Sequence, residues 1–564
     1  MRKNKIIKYI LGNKKSEINP DEIFLDSSNL PDFDKAQFEG RIEKPFSKYV
    51  PILVFVFFIA VSLIYTYKAW DLQILNGDEL AERSSQNRLN YTALFSERGS
   101  VLDRNGVVLA TNIPGGEDSE FSLRKYTEIP GLSHILGYIR YPQKDSNGYY
   151  YQTEFEGLDG VEKTYNDYLT GKNGLRIVES DAVGRIATES VIEQPVNGKN
   201  LKLSIDSRVQ SQLYKYIEEL AGKVGFSGGA GAIMDVTNGK LLSLVSYPEY
   251  DSQVLTDGVD TKKISSYNTD NRNVYINRVI SGLYAPGSVM KLFVAMGVLN
   301  EKVIDPLKKI LSTGSITVPN PYFPDKGTTF KDWKPLGWVD MRGALAMSSN
   351  IYFFHVGGGF DGQEGIGIDN INKYVRMFGF GSDTGIQLPN EVAGSVPNPE
   401  WKKENFNGED WRLGDTFLTA IGQYGFQATL LQLLRGTSAI VSNGKLYKPL
   451  INEDEKTEFT QLEFDDSYYQ IVREGMYQAV YGGGTAHNLN SLPVKVGAKT
   501  GTAELGYSKE RVNSWVTGFY PYDNPKYAFS IMLEKGPRDN AIGGLYVASE
   551  IINWMSQNTP EYMQ

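Results

Sequence analysis

The sequence predicts an α+β fold in which helices cover one antiparallel β-sheet, preceded by a membrane-spanning helix and an elongated pedestal domain. Three observations support this prediction. An uncharged run extends from Tyr49 to Tyr67, and no later segment is long and apolar enough to span a membrane. Hairpin patterns occur near both ends of the region that begins at Leu201, and helical patterns fill the stretch between them. Strands divided in this way favour a single antiparallel sheet covered by helices.

Composition argues against several classes of function. The chain of 564 residues is long enough for more than one domain and a large core. Its net charge of −9 argues against nucleic acid as the main partner. The absence of cysteine excludes disulfides, cysteine nucleophiles and thiolate metal sites. The three histidines, His134, His355 and His487, do not form a metal-ligand spacing. We therefore expect no metal and no cofactor.

The N-terminal segment 1–48 is polar and rich in charged residues, which predicts a mostly disordered cytoplasmic tail. The run 49–67 would span roughly 28 Å as a helix, about one hydrocarbon thickness. A cleaved signal peptide is the alternative, but no small-residue cleavage site follows the run. We expect an anchor in the lipid bilayer, with the chain after Lys68 outside the cytoplasm. The basic residues that place the N-terminal side in the cytoplasm are Arg41, Lys44 and Lys48.

Residues 68–200 predict a non-catalytic pedestal. Spaced apolar residues after Lys68 suggest a helix that leaves the membrane and breaks at Asn76-Gly77. The stretch from Arg98 to Asn200 is rich in glycine, tyrosine and short β-prone runs. An amphipathic helix is expected near Val161 to Leu169.

Residues 201–564 form the second predicted domain. A strand is expected to lead from Val494 into Lys499, and the turn of the first hairpin falls at Asn238-Gly239. The remaining predicted elements are a helix over Ser207 to Lys223, hairpins over Ala230 to Pro248 and Trp515 to Leu533, and a closing helix over Tyr546 to Ser556.

Ser288 is the candidate nucleophile. Pro286-Gly287 is a turn signal, and the residues from Leu292 to Leu299 are almost wholly apolar, so Ser288 should lie on the first turn of a buried helix. Residues three apart share a helix face, so Lys291 can reach the serine hydroxyl. Burial disfavours the charged form of a lysine and lowers its pKa, which allows Lys291 to act as a base.

Two further motifs follow Ser288 in order: Ser348-Ser349-Asn350 and Lys499-Thr500-Gly501-Thr502. The serine-lysine and Ser-x-Asn patterns are common by chance, and Ser122-Leu123-Arg124-Lys125 imitates the first of them, whereas Lys-Thr-Gly occurs once. That imitation lies in a polar run with no apolar helix behind it. Gly225 to Gly229 matches a hydrolase elbow, but a helix precedes it and a strand follows, the reverse of what the elbow requires. The order of the three motifs, more than any one of them, indicates an active site.

The trio resembles the S-x-x-K, S-x-N and K-[ST]-G motifs of the penicillin-binding transpeptidases and serine β-lactamases. Arg98 to Gly106 and Gly157 to Glu162 also resemble non-catalytic motifs of one branch, the class B penicillin-binding proteins. Asp251-Ser252-Gln253 and Ala428-Thr429-Leu430 depart from that branch, outside the three motifs. The resemblance implies a β-lactamase/transpeptidase-like fold, with 201–564 as the transpeptidase domain.

The resemblance also implies acyl transfer by a serine enzyme. Ser288 would attack a carbonyl, Lys291 would act as base, and Ser348 with Lys499 would relay the proton to the leaving nitrogen. Asn350 would orient a substrate peptide bond and fix Lys291. The backbone N–H groups of Ser288 and Thr502 would form the oxyanion hole. The residues expected to bind the terminal carboxylate are Lys499, Thr500, Gly501 and Thr502.

The implied substrates are peptidoglycan stem peptides ending in D-Ala-D-Ala, with β-lactams as their mimics.

Glu117 to Phe121 imitates the start of a glycosyltransferase motif, but Arg124 and Tyr126 replace its later His and Gly. Glycan synthesis is therefore expected from a membrane glycosyltransferase partner. Two alternatives remain: a D,D-carboxypeptidase or β-lactamase that uses water as acceptor, and a non-catalytic or sensory scaffold that activates the polymerase.

Overall fold

The structure is a computed structural model that describes residues 47, 49–80, 89–116, 119–146, 149–180, 186–320, 323, 326–506, 509–539 and 542–564. The predicted cytoplasmic tail lies outside the described residues, apart from Ser47. The chain divides into two compact units, Met1–Leu89 and Asn90–Gln564.

The first unit contains the apolar helix Tyr49–Trp70, in which no residue is buried. A π-helical turn, Asp71–Leu75, continues it and ends at Asn76, where the sequence predicts a break. The stretch Tyr49–Leu75 is the one helix in the described part of the chain that is long and apolar enough to cross a membrane. Its exposed apolar surface is what a bilayer-facing helix requires.

The N-terminal part of the second unit is built from short strands, as its composition predicts. Two small sheets join strands that are distant in sequence, and one of these pairs Leu201–Lys202 in parallel with Val101–Leu102. The strands are Leu89–Leu94, Val101–Leu102, Val108–Ile113, Leu123–Tyr126, Ile139–Arg140, Gln143–Lys144, Tyr150–Gln152, Glu156–Gly157, Gly174–Ser180, Ile186–Glu193 and Leu201–Lys202, and a short helix covers Ser133–Leu136.

The single helix predicted over Val161 to Leu169 is two short helices, Gly160–Thr164 and Asn166–Leu169. Tyr165 separates them with a non-helical backbone (φ −104°, ψ 26°). Its hydroxyl donates to Oε1 of Gln387, 2.9 Å away. This tertiary contact accompanies the interruption, and no sequence periodicity could have signalled it.

A buried ionic cluster lies at the core of this region. The Nε atoms of Arg98 and Arg124 lie 2.6 and 2.8 Å from the two carboxylate oxygens of Glu162. All three side chains are almost completely buried. Each positive charge therefore has a hydrogen-bonded anion, the condition under which charges are tolerated inside a protein.

A five-stranded antiparallel sheet forms the centre of the C-terminal part. Its first hairpin turns at Gly239, whose φ of +80° favours glycine. In spatial order the strands are Leu241–Tyr247, Gly228–Asp235, Tyr527–Pro537, Arg511–Tyr520 and Gly497–Leu505. The last of these is therefore an edge strand. The two hairpins predicted at opposite ends of the domain meet in this sheet, which confirms the predicted fold class.

Helices cover both faces of the sheet. Ser207–Val224 and Gly544–Asn558 share one core with Ile233 and Phe529, whereas Leu430–Val441 belongs to the larger core on the other side. The other helices are Ser252–Asp257, Thr261–Thr269, Lys291–Asn300, Met341–Ala346, Asn350–Gly358, Gly367–Met377, Pro399–Asn405, Leu413–Ala420 and Asp466–Tyr481, with 3₁₀ turns at Gly287–Met290, His487–Ser491 and Pro560–Tyr562. Small two-stranded ribbons pair Ile310–Ser312 with Gly337–Val339, Ser315–Val318 with Thr328–Lys331, and Lys445–Tyr447 with Phe459–Gln461.

Candidate active site

Ser288 lies on a 3₁₀ turn, Gly287–Met290, that leads directly into the buried helix Lys291–Asn300. Gly287 has a φ of +61°, and its N–H donates to the carbonyl of Gly422 at 2.9 Å. A Cβ atom at Gly287 would lie only 3.0 Å from the carbonyl oxygen of Thr502. Glycine therefore allows the turn to approach the edge strand closely, and Ser288 remains half-buried beside it.

Lys291 is completely buried, and its contacts explain how the ammonium is held. Its Nζ donates to the carbonyl of Ser348 at 2.8 Å and to Oδ1 of Asn350 at 2.7 Å, and it lies 3.4 Å from Oγ of Ser348. Burial lowers the pKa of Lys291 to about 7, and the negative charge of Asp332 partly opposes that decrease. A lysine with this pKa is available as a proton acceptor near neutral pH.

Lys499 is a second fully buried lysine in contact with Ser348. Its Nζ donates to Oγ of Ser348 at 2.8 Å and to the carbonyl of Thr500 at 2.9 Å. Burial lowers its pKa well below the ordinary value, and the nearby Lys291 lowers it further. The Ser348 hydroxyl is therefore placed between two amines, both of which are disfavoured in the charged form.

Asp332 shapes the turn that carries Ser348, although no motif in the sequence marks it. Ser348 has a φ of +56°, a conformation that non-glycine residues rarely adopt. Asp332 is buried and accepts hydrogen bonds from the hydroxyl of Ser349 and from the backbone N–H groups of Asn350 and Ile351, at 2.8, 3.0 and 3.3 Å. These bonds fix the residues that directly follow Ser348 and the start of the helix that carries Asn350.

Thr485 is a second residue that contacts the site and that no sequence motif marks. The Thr500 hydroxyl donates to Oγ1 of Thr485 at 2.7 Å, and the N–H of Thr485 donates to the carbonyl of Ala346 at 3.1 Å. The edge strand is thereby tied to the segment just before Ser348. The run Gly482-Gly483-Gly484 before Thr485 was the one sequence signal that could have drawn attention to this loop.

Gly501 and Thr502 lie where the edge strand passes the Ser288 turn. A Cβ at Gly501 would lie 3.1 Å from the carbonyl oxygen of Pro286, so a larger residue would push the strand from the turn. The side chain of Thr502 is exposed and that of Thr500 is half-buried. The structure thus brings the predicted residues to one place; their roles in a reaction stay predictions. They are Ser288, Lys291, Ser348, Asn350, Lys499, Thr500, Gly501 and Thr502.

The arrangement can support nucleophilic acyl transfer. Lys291 directly follows the turn that carries Ser288, and a lysine of lowered pKa is the kind of base that a serine nucleophile needs. A second hydroxyl between two amines offers a path for a proton. The exposed edge of the strand Gly497–Leu505 offers backbone groups to an extended peptide.

Two protein-family models match the chain. Residues 229–555 match the penicillin binding protein transpeptidase domain, and residues 113–203 match the penicillin-binding protein dimerisation domain.

Curated relatives and solved structures agree with these matches. Peptidoglycan D,D-transpeptidase MrdA of Acinetobacter baumannii is 28% identical over 588 aligned residues, covering 86% of this chain and 84% of that protein. MrdA of Escherichia coli K12 is 25% identical, covering 88% of this chain and 92% of that protein. Penicillin-binding protein PBP2 of Helicobacter pylori, solved in complex with MreC, has a TM-score of 0.70 and 30% identity, covering 84% of this chain and 99% of that one. PBP2 of Pseudomonas aeruginosa, solved with WCK 5153, has a TM-score of 0.66 and 26% identity, covering 84% of this chain and 98% of that one.

Proposed function

Because the chain belongs to the class B penicillin-binding protein transpeptidase family, we propose that it is a membrane-anchored peptidoglycan D,D-transpeptidase acting through an acyl-enzyme at Ser288. The observation that carries the proposal is the position of the Ser348 hydroxyl, 2.8 Å from Nζ of Lys499 and 3.4 Å from Nζ of Lys291. Each of the three groups comes from a different motif of the trio.

The reaction begins when Oγ of Ser288 attacks the carbonyl carbon between the two terminal D-Ala residues. The hydroxyl proton passes to the neutral amine of Lys291. The hydroxyl of Ser348 then carries a proton to the nitrogen of the leaving D-Ala, and the C–N bond breaks to leave an ester on Ser288. An amine from a second stem peptide attacks this ester, forms the new amide and returns the proton to Ser288.

The substrate would lie along the edge strand Gly497–Leu505 as an additional strand. Its terminal carboxylate would be bound by the hydroxyls of Thr500 and Thr502 and by the charge of Lys499 when that amine is protonated. Gly501 keeps the strand close to Ser288, and the N–H groups of Ser288 and Thr502 would stabilise the oxyanion. Asn350 holds Lys291 through its Oδ1 and would orient the substrate through its amide.

We further propose the division of the chain into a cytoplasmic tail at 1–48, a transmembrane anchor at 49–67, a pedestal at 68–200 and a transpeptidase domain at 201–564. The basic residues before Tyr49 favour an N-terminus in the cytoplasm. The anchor and pedestal would contact a membrane glycosyltransferase that makes the glycan strands.

Penicillin labelling tests the proposal. Full-length protein in detergent is incubated with fluorescent penicillin, digested and mapped by mass spectrometry. We expect one ester, on the peptide that contains Ser288, and its loss in Ser288→Ala. Ser122→Ala is the matched control, since Ser122 begins the imitation motif, and it should label normally. An adduct on any other serine, or no adduct on a folded protein, would contradict the assignment of the nucleophile.

A further inference from the structure

The indole of Trp333 is fixed at the rim of the site and yet exposed. Its Nε1 donates to the carbonyl of Met347 at 3.0 Å, and its backbone N–H donates to Oδ1 of Asp332 at 3.0 Å. Met347 immediately precedes Ser348. Despite these two anchors, 54% of the Trp333 surface is open to solvent. A large apolar ring that is exposed to solvent but fixed by hydrogen bonds is characteristic of a ligand-binding surface.

One lysine contacts this ring, and a second lies two residues before it in the sequence. Nζ of Lys334 lies 4.3 Å from the centroid of the Trp333 ring. Lys331, two residues before Trp333, is exposed to solvent. The carbonyl of Lys331 accepts a hydrogen bond from the amide of Asn350 at 3.1 Å, so this segment also adjoins the active site. Between residues 326 and 339 the charged side chains exposed to solvent are all lysines, because Asp332 is buried.

We propose that Lys331, Trp333 and Lys334 form a subsite, the Trp333 subsite, for an anionic segment of the stem peptide upstream of its D-Ala-D-Ala end. This inference rests on the proposed function. The lysines would bind a carboxylate of the peptide, and the free face of the indole would pack against its backbone or apolar side chains. Two features favour this ligand. The positive charge of the subsite matches an anionic peptide. Its hydrogen bonds to Met347 and Asn350 make it continuous with the site where the peptide reacts.

The subsite predicts a difference between substrates. Penicillin G carries only a small neutral acyl group upstream of its D-Ala-D-Ala-like core, so its acylation of Ser288 should depend little on the Trp333 subsite. A longer peptide that carries an upstream carboxylate should use the subsite, and the same peptide with that carboxylate converted to an amide should lose the contact with the lysines.

The experiment compares Trp333→Ala, Trp333→Phe and the double variant Lys331→Gln/Lys334→Gln in full-length protein. Trp338→Ala is the matched control, since Trp338 is 64% exposed on the neighbouring strand Gly337–Val339. Three reactions are measured: penicillin acylation, and turnover of the carboxylate peptide and of its amide counterpart.

We expect Trp333→Ala to lower kcat/KM for the carboxylate peptide by about tenfold, mainly through KM, with penicillin acylation within about twofold of the wild type. Trp333→Phe should keep most of the activity because it keeps an aromatic face. The double lysine variant should impair the carboxylate peptide and spare the amide, and Trp338→Ala should change neither.

Two results would overturn the subsite. If Trp333→Ala and Trp333→Phe slow penicillin and peptide equally, the indole only anchors the turn at Met347. If neither Trp333→Ala nor the lysine variant alters peptide turnover, the surface binds no substrate. In either case the wild-type protein still forms the penicillin ester at Ser288, whereas failure of the proposed function would remove that ester from the wild-type protein.

Discussion

The proposed pedestal and the candidate active site each bury two basic side chains, and they treat these side chains in opposite ways. In the pedestal, Arg98 and Arg124 share the carboxylate of Glu162 at 2.6 and 2.8 Å. In the active site, Lys291 and Lys499 are equally buried, but their hydrogen-bond partners are hydroxyl, carbonyl and amide oxygens. The first arrangement places a carboxylate oxygen against each cation, and the second places only neutral oxygens against each amine.

The difference separates a structural ion cluster from a reactive one. A carboxylate in contact stabilises a cation and keeps its proton in place. Neutral oxygens allow the amine to lose its proton, which is why burial brings the pKa of Lys291 to about 7. Asp332 is near enough to raise the pKa of Lys291 somewhat, but the hydrogen bonds it accepts come from hydroxyls and backbone N–H groups. The identity of the acceptor atoms, more than burial itself, distinguishes the two regions.

The largest effect is expected from Lys291→Met, which removes the amine and keeps the apolar stem. Acylation of Ser288 by penicillin should fall by about 10²- to 10⁴-fold, the usual range for a lost general base. Stability should be unchanged or higher. Because the pKa of Lys291 is lowered from 10.5 to about 7, the unfolded chain binds more protons between these values, and the destabilising contribution of the lysine grows as the pH falls through that window.

Stopped-flow acylation and thermal unfolding of the same preparation check both parts. A variant that keeps wild-type acylation, or that unfolds far below the wild-type temperature with no gain at neutral pH, would show that Lys291 is a structural cation like those of the pedestal.

Glu162→Gln is the corresponding change in the pedestal. It leaves two buried guanidinium groups without their anion, so we expect a loss of about 3–5 kcal/mol in the free energy of unfolding. Penicillin acylation by the protein that remains folded should be unchanged. The matched control is Glu156→Gln, which breaks an ion pair with Arg140 that is about half exposed (47% and 48%) and should cost at most about 1 kcal/mol. Equal losses in the two variants, measured by chemical denaturation, would contradict the comparison.

The sequence predicted the local elements and the order of the three motifs, because periodicity and turn signals act over short distances. It placed the helix over Ser207 to Lys223 within a residue of the observed end at Val224, and it paired the correct hairpins. It did not find the cluster of Arg98, Arg124 and Glu162 as a unit, although two of these residues lie in the motifs that carried the resemblance.

Asp332 and Thr485 were missed for a physical reason. Each acts through hydrogen bonds to residues outside its own local segment, such as the bond between Thr500 and Thr485, which lie 15 residues apart. Contacts of this kind depend on how helices and strands pack, and a single sequence contains no periodic trace of them. The division of the single predicted helix at Tyr165 has the same origin, since the tyrosine is engaged by Gln387.

The smallest effect is expected from Asp332→Asn, which tests whether the charge of Asp332 acts on the pKa of Lys291. With Lys291 as the base, the rate of acylation should rise with pH around the pKa of about 7, because only the neutral amine accepts the serine proton. The charge of Asp332 raises the pKa of Lys291, and the neighbouring Lys499 is a like charge whenever it is protonated. Removing the carboxylate charge should therefore lower the pKa of Lys291 and move the midpoint of the profile to lower pH, whereas loss of the hydrogen bonds to Ser349 and Asn350 would reduce only the plateau rate.

Asp340→Asn is the control, since Asp340 caps the adjacent helix Met341–Ala346 through the N–H of Gly343 and should leave the midpoint in place. A midpoint that stays fixed or moves to higher pH in Asp332→Asn would mean that the carboxylate positions the turn without acting on the charge of Lys291.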